Sequence, residues 1–224
     1  MYKNLNCTAL VVAGGHGTRF GGHMPKQFLQ LGGMPVIGHS LQTFDACPFV
    51  DEIVIVTSVN FWDICKGLGL TKPVHLTEAG QTRQQSVASG LSFVRSGLVL
   101  IHDGARPFVE IDKIEILLAA AYEGNGATLA TPITDTLKFA DDNMRVAQTL
   151  QREKVFAIQT PQAFPVDIIK KAHEKQASQA YDDCQLVELL GIKPYLIMGS
   201  TENIKITYPI DIKIAEMILE ERSL

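Results

Sequence analysis

The chain has 224 residues, 46% of them hydrophobic and 20% charged, with a formal net charge of −4. That is enough apolar material for one large or two small folded domains, and the negative balance argues against an extended nucleic-acid surface, leaving a single nucleotide as the only link expected. Apolar runs fall short of the roughly 18 residues that a membrane span needs, and MYKNLNCTAL runs into a strand-like segment without a signal-peptide layout, so a cytoplasmic protein without membrane contact is expected.

In chain order, the apolar run Thr8 to Val12 reads as a buried strand that breaks into glycines. Ile53 to Thr57 and Val74 to Leu76 have the same short, apolar character, suited to a parallel sheet. Thr82 and Gln85 form a capping box ahead of a helix whose inner face is Val87, Leu91 and Val94. Leu98 to His102 is the next strand, followed by a helix with Ile111, Ile114, Leu117, Leu118 and Ala121 on one side. Thr128 to Thr131 is a further strand. Residues 135–160 then break the rhythm: they are polar, poor in periodicity and long for a loop, with the composition of a hairpin or an interaction arm. Thr160 to Phe164 reads as a turn returning from it. Tyr195 to Met198 is the last strand, and Pro209 opens a helix carrying Ile210, Ile214, Met217 and Ile218. Strands alternating with helices imply a doubly wound α/β fold. Cys7, Cys47, Cys65 and Cys184 are scattered without zinc-ligand or disulfide-framework spacing.

The first loop carries the strongest chemical signal. Gly14, Gly15 and Gly17 allow positive φ and close approach of backbone N–H groups to an anion, while Arg19 and Lys26 add cations able to follow charge as it moves between phosphates. Gly17 is followed by Thr18 and Arg19 without the GK pair of a P-loop. A dinucleotide fingerprint is closer, since Gly15, Gly17 and Gly21 give GxGxxxG, but the next strand ends in Thr57 and Ser58 where a ribose-binding acid is expected. No HRD or DFG follows to suggest a kinase. A plain strand-to-helix turn is the remaining alternative.

A second signal is IHDGARPFV, where Asp103 follows its strand directly. Ligands of open α/β sheets bind beyond the carboxyl ends of strands, and a carboxylate beside a phosphate cradle suits Mg²⁺, which binds through one or two carboxylates plus phosphate oxygens. Arg106 offers a fork for a second phosphate; alternatively Asp103 caps a turn with Arg106 as its surface partner. His102 is expected to point into the sheet as a satisfied polar residue. Gln162 reads equally as structural or as a ligand. Arg83 opens a helix whose N-terminus suits a phosphate or plain solvent. Lys205, in the strand-like ENIKIT, either snorkels or meets an anion.

Taken together, AGGHGTRFGGHMPKQF, HDGARPF, PITDTLK, QREKVFAIQTPQAF, YDDCQLVELLG and TENIKIT closely resemble, in order, the 2-C-methyl-D-erythritol 4-phosphate cytidylyltransferases, and share most blocks with their kin, the ribitol-5-phosphate cytidylyltransferases. The resemblance implies a single Rossmann-like nucleotidyltransferase domain over 1–224, with a mostly parallel sheet, helices on both faces and a dimerisation arm at about 135–160. It implies CTP as donor, Mg²⁺ as cofactor, a polyol phosphate as acceptor, pyrophosphate as product and a homodimer. By the same resemblance, Ala13, Gly14, Gly15 and Gly17 match the nucleotide loop, Arg19 and Lys26 the catalytic cations, and Gly80 and Ser86 positions around the cytosine. Asp103 matches the metal- and substrate-binding acid, Arg106 the arginine near the substrate, Thr136 and Arg152 polyol-phosphate ligands on the arm, and Lys205 a lysine serving the phosphates. Gln84 and Gln85 stand where many members carry an acid, Gln151 where an aspartate often precedes the arm arginine, and Tyr181 where a threonine lies near the substrate. Two other readings make different demands: an NADP-dependent oxidoreductase using GxGxxxG, and a nucleotide sensor without turnover.

Overall fold

The computed structural model describes residues 1–15, 20, 24–175 and 180–222. Its elements run β1 (Cys7–Val12), β2 (Gln30–Leu31), β3 (Met34–Pro35), α1 (Val36–Ala46), β4 (Glu52–Val56), α2 (Trp62–Lys66), β5 (Val74–Thr77), α3 (Arg83–Leu91), β6 (Leu98–Asp103) and α4 (Ile111–Tyr122). They continue with β7 (Ala127–Pro132), β8 (Lys138–Ala140), β9 (Val146–Thr149), β10 (Phe156–Pro165), α5 (Val166–Lys175), α6 (Asp183–Glu188), β11 (Tyr195–Met198) and α7 (Pro209–Arg222).

Seven strands form the main sheet in the order β11-β7-β10-β6-β1-β4-β5. All pairings are parallel except those of β10, which runs antiparallel to both β6 and β7. Side chains of a strand alternate between faces, and the strands divide their apolar residues accordingly. Ala9, Val11, Ile53, Ile55, Leu98 and Leu100 pack against α1 and α4, whereas Leu10, Val54, Val56, Val99 and Ile101 pack against α3, α5 and α6. The sheet therefore has a helical layer on each face, as the alternating pattern requires.

The chain leaves β1 toward β4 and β5, then returns to place β6 on the other side of β1. This reversal opens a crevice at the carboxyl ends of β1 and β6, the usual ligand position in such sheets. Val12 lies opposite Asp103 in the β1–β6 register, so the glycine loop and the acidic loop leave the sheet side by side.

Three sequence expectations change. Thr160 to Phe164 is part of β10, with a register shift between Ile158 and Gln162; buried partners for its polar side chains let this segment sit mid-sheet. ENIKIT begins in a turn at Glu202 and Asn203 and pairs with no strand; it is tied at Ile206, whose N–H donates to the Ala105 carbonyl. On α7, Ile210, Ile214 and Met217 are exposed, and Ile218 alone of the expected face packs against a small cluster containing Leu31, Val36, Phe108 and Ala215. Within 135–160, β8 and β9 form an exposed antiparallel hairpin.

Candidate active site

The loop after β1 is narrow for a local reason. A Cβ on Gly14 would lie 2.2 Å from the Ala79 Cβ, and one on Gly80 2.4 Å from the Gln85 Cβ. Close approach, rather than the expected positive φ, is what demands glycine at Gly14; Gly15 also lacks positive φ, but a Cβ there would meet nothing within 4 Å. Gln27 ties the loop down by donating to the carbonyls of Ala13 and Gly15 at 2.5 and 3.0 Å. Its neighbour Lys26 is thereby carried to the cavity wall.

Across from this loop, the Thr82–Gln85 capping box forms as the sequence implies. Ser86 accepts from the Gly80 N–H at 3.1 Å and donates to the Thr82 carbonyl at 2.9 Å, so its hydroxyl shapes the turn that faces Gly14. A cavity of about 400 Å³ lies between, lined by residues that include Gly14, Gly15, Lys26, Gly80 and Ser86. A second cavity of about 470 Å³ opens beside Arg106, Thr160, Tyr181 and Gln185. Both are bounded by Arg83, Asp103 and Lys205.

This common wall is an ion-pair cluster. Asp103 accepts from Arg83 Nε at 2.9 Å on one oxygen and from Lys205 Nζ at 2.6 Å on the other. Burial pushes its carboxyl up, but the charges of Arg83 and Lys205 outweigh this and hold it well below the usual carboxylate range. Arg83 also donates to Asp183 at 2.7 Å; burial disfavours its charge, yet Asp183 and Asp103 raise its pKa above the ordinary value. Arg106 is held at the edge of the second cavity by donating to the Asn203 and Ile158 carbonyls, and burial lowers its pKa.

His102 is fully buried. Its Nε2 contacts the Arg106 carbonyl at 2.9 Å, so Nε2 carries the proton, while Nδ1 accepts from Thr160 Oγ1 at 3.1 Å. Burial lowers its pKa to about 4, leaving a neutral ring away from both cavities. Gln162 lines the second cavity and is held there by its own bonds: it donates to Thr128 and Asp182 and accepts from the Asp183 N–H.

Ala13, Gly14, Gly15, Lys26, Gly80, Ser86, Asp103, Arg106 and Lys205 are thus gathered around two adjoining cavities. Gly17 and Arg19 lie outside the described residues. Thr136 and Arg152 line neither cavity of this chain; Arg152 donates to the Thr134 carbonyl on the arm. Asp183 and His173 escaped the sequence reading. The second acid of YDD looks like one more helix-capping residue, but Asp182 takes the cap and Asp183 turns inward.

The 2-C-methyl-D-erythritol 4-phosphate cytidylyltransferase family model matches residues 7–221. The chain belongs to that family. Cytidylyltransferases of this family from Pelotomaculum thermopropionicum and Geobacillus thermodenitrificans are 40% and 41% identical to it, over 96% and 97% of this chain and 94% and 99% of theirs. Among solved structures, the 4-diphosphocytidyl-2C-methyl-D-erythritol synthase of Anaerococcus prevotii superposes with a TM-score of 0.88 at 30% identity, covering 98% of each chain. The Thermus thermophilus cytidylyltransferase gives a TM-score of 0.78, also at 30% identity, over 96% of this chain and all (100%) of that one. The protein is therefore a cytidylyltransferase with the α/β nucleotidyltransferase fold.

Members of this enzyme class generally use a divalent cation. Among the described residues there is no group of three or more His, Cys, Asp or Glu side chains arranged to hold one. Asp103 is the carboxylate on the shared wall, and a single carboxylate suits a Mg²⁺ ion bound mainly through substrate phosphates.

Proposed function

We propose that the protein transfers CMP from CTP to 2-C-methyl-D-erythritol 4-phosphate, releasing pyrophosphate, in isoprenoid precursor synthesis. The observation that carries this reading is the pair of cavities meeting at Arg83, Asp103 and Lys205. A nucleotide in the first and a polyol phosphate in the second would bring two phosphate groups to one cationic wall. Family membership favours this reaction over ribitol phosphate transfer, and over an oxidoreductase or a sensor.

A phosphate oxygen of the acceptor attacks the α-phosphorus of CTP; the new oxygen–phosphorus bond forms as the bond to the β-phosphate oxygen breaks, and pyrophosphate leaves with that electron pair. An ionised phosphate needs no general base, consistent with a neutral His102. Orientation and charge stabilisation are the main tasks. Lys26 and Arg19 meet the charge growing on the α-phosphoryl group and pyrophosphate. Ala13, Gly14 and Gly15 present backbone donors to the triphosphate, with Gly17 assigned to the same nucleotide loop by resemblance to the family, and Gly80 with Ser86 forms a tight surface suited to a pyrimidine. Lys205 and Arg106 receive the acceptor phosphate. Asp103, together with the substrate phosphates, would hold Mg²⁺, which would supply charge neutralisation when bound.

The same reading makes the protein a cytoplasmic homodimer, with Thr136 and Arg152 of each arm completing the partner's acceptor site. Exposure of Phe139, Met144 and Val146 on the arm supports it, as does the absence of Thr136 and Arg152 from the lining of both cavities. No helix of the described residues is long and apolar enough to cross a membrane.

Pyrophosphate release, measured with Mg²⁺ and each of CTP, ATP, GTP and UTP, tests the donor. CTP should be strongly preferred, and equal turnover with ATP would overturn the assignment.

A further inference from the structure

Arg83 is gripped from two sides. Its Nε pairs with Asp103 and its Nη1 with Asp183, while Nη2 is buried without a hydrogen-bond partner among the described residues. Asp103 stands on the cavity wall; Asp183 does not, being 1% exposed and absent from the lining of both cavities. Asp183 cannot touch substrate from there, yet it is itself fixed on several sides. Its other oxygen meets His173 Nε2 at 3.1 Å, and its backbone N–H donates to Gln162 Oε1 at 3.1 Å. A carboxylate is held this far from water only where charged hydrogen bonds replace its hydration.

The two carboxylates differ in what ligands do to them. Substrate phosphates would compete with Asp103 for Lys205, and a divalent cation would compete with Arg83 for Asp103. If those partners exchanged, Arg83 would lose one of its two holders. Asp183 is out of reach of either ligand and keeps the other. A buried donor without a partner needs an explanation in a folded protein, and Nη2 is a donor available for a phosphate once the Lys205–Asp103 pair opens.

We propose that Asp183, set in place by His173 and Gln162, is a positioning residue that locks the Arg83 guanidinium at the wall between the two cavities throughout turnover. The proposal rests on the cytidylyl-transfer reading. Asp183→Asn preserves size and the backbone bond to Gln162 but removes the charge that holds Arg83.

A double-mutant cycle tests it. The kcat and both KM values are measured with CTP, 2-C-methyl-D-erythritol 4-phosphate and Mg²⁺ for wild type, Asp183→Asn, Arg83→Ala and the double variant. Loss of one charged hydrogen bond acting in the transition state corresponds to roughly a tenfold to hundredfold fall in kcat, expected for Asp183→Asn with KM for CTP changed less than about threefold. In the Arg83→Ala background the same substitution should cost under about twofold, because its target is gone. An undiminished loss in that background would show that Asp183 acts independently of Arg83, and a folded Asp183→Asn protein with wild-type kcat would also overturn the proposal. Should Asp183→Asn fail to fold, Arg83→Lys decides: a single ammonium cannot reproduce the two-sided fork, so a similar loss supports the lock and wild-type turnover refutes it. A wild-type protein that releases no pyrophosphate sinks the functional reading and this proposal together; an active wild type with an indifferent Asp183→Asn sinks this proposal alone.

Discussion

Lys26 reaches the first cavity from a single 3-10 turn, anchored by Gln27 beneath it and by Phe28, which stacks on Phe61 at 4.2 Å. These two neighbours set where Lys26 stands. Loss of a donor aimed at transition-state charge costs roughly 3 to 4 kcal/mol, so Lys26→Ala and Arg19→Ala should each lower kcat by about two to three orders of magnitude; near wild-type kcat in either would remove it from its proposed role. Tyr181 is 96% exposed at the rim of the second cavity. Tyr181→Thr should accordingly move KM for the polyol phosphate more than KM for CTP, and a change confined to CTP would place Tyr181 outside the acceptor site. His102 makes a prediction about stability. Its folded pKa of about 4 lies below the ordinary 6.5, so between those values the unfolded chain binds more protons and stability falls as pH drops, by about 3 kcal/mol at most. Asp103, Arg106 and Arg83 are the charged groups acting on it. Urea midpoints at pH 7, 5.5 and 4 should show a shallower decline for His102→Gln; an identical decline would mean that His102 is not the titrating group. Asp103 and Asp183, both held below the usual carboxylate range, add losses in the same direction at lower pH. At this scale the sequence exposed groups whose type announces their chemistry, such as Lys26, Asp103 and Arg106. It hid Asp183, whose role depends on which way one side chain of an acidic pair turns.

The helix α3 shows what local sequence encodes well. Thr82 and Gln85 satisfy each other's backbone within four residues, and Val87 and Leu91 fall on the buried side. Gln85, read as a departure where relatives carry an acid, has a local explanation: its side chain accepts from the Gln81 and Thr82 N–H groups. Gln84 likewise accepts from the Ala180 N–H. Removing the cap in Thr82→Ala should cost about 1 kcal/mol of stability. It should also raise KM for CTP, because the same turn carries Gly80 and Ser86; denaturant titration and steady-state kinetics check both, and an unchanged KM would detach that turn from the nucleotide. Strand β10 illustrates the opposite case. Its Gln159, Thr160 and Gln162 are buried and suggest a turn when read alone, but each is satisfied by a distant partner: Ser200, His102 and Thr128 respectively. Partners 34 or more residues away cannot be read from a local pattern, which is why this antiparallel strand was legible only in the fold. The outward residues of α7 were obscured similarly, since helical spacing identifies an apolar face without saying what it meets.

Across the whole molecule, placement of the site follows from the reversal of strand order at β1, which puts the glycine loop beside Asp103. The alternating pattern made that α/β architecture legible, and the quoted motifs made the family legible. Sharing of sites between subunits is the part that demands a test in solution. Arg19→Ala and Arg152→Ala proteins, each inactive, can be co-folded. If the arm serves the partner, one site of a mixed dimer carries both lesions and the other carries neither. Random pairing makes about half the dimers mixed, so roughly a quarter of wild-type activity should return under two-fold symmetry. If the arm serves its own subunit, every site keeps one lesion and the mixture remains silent once subunit exchange is confirmed.

Phosphorus NMR of the wild-type protein with CTP, 2-C-methyl-D-erythritol 4-phosphate and Mg²⁺ tests cytidylyl transfer most directly, because it follows the bond made and the bond broken in one sample. The account predicts that a mixed diphosphate ester joining cytidine to the polyol and free pyrophosphate appear in equal amounts as both substrates disappear. Pyrophosphate formed with CMP instead of that ester, or unchanged substrate in the presence of folded protein, would contradict it.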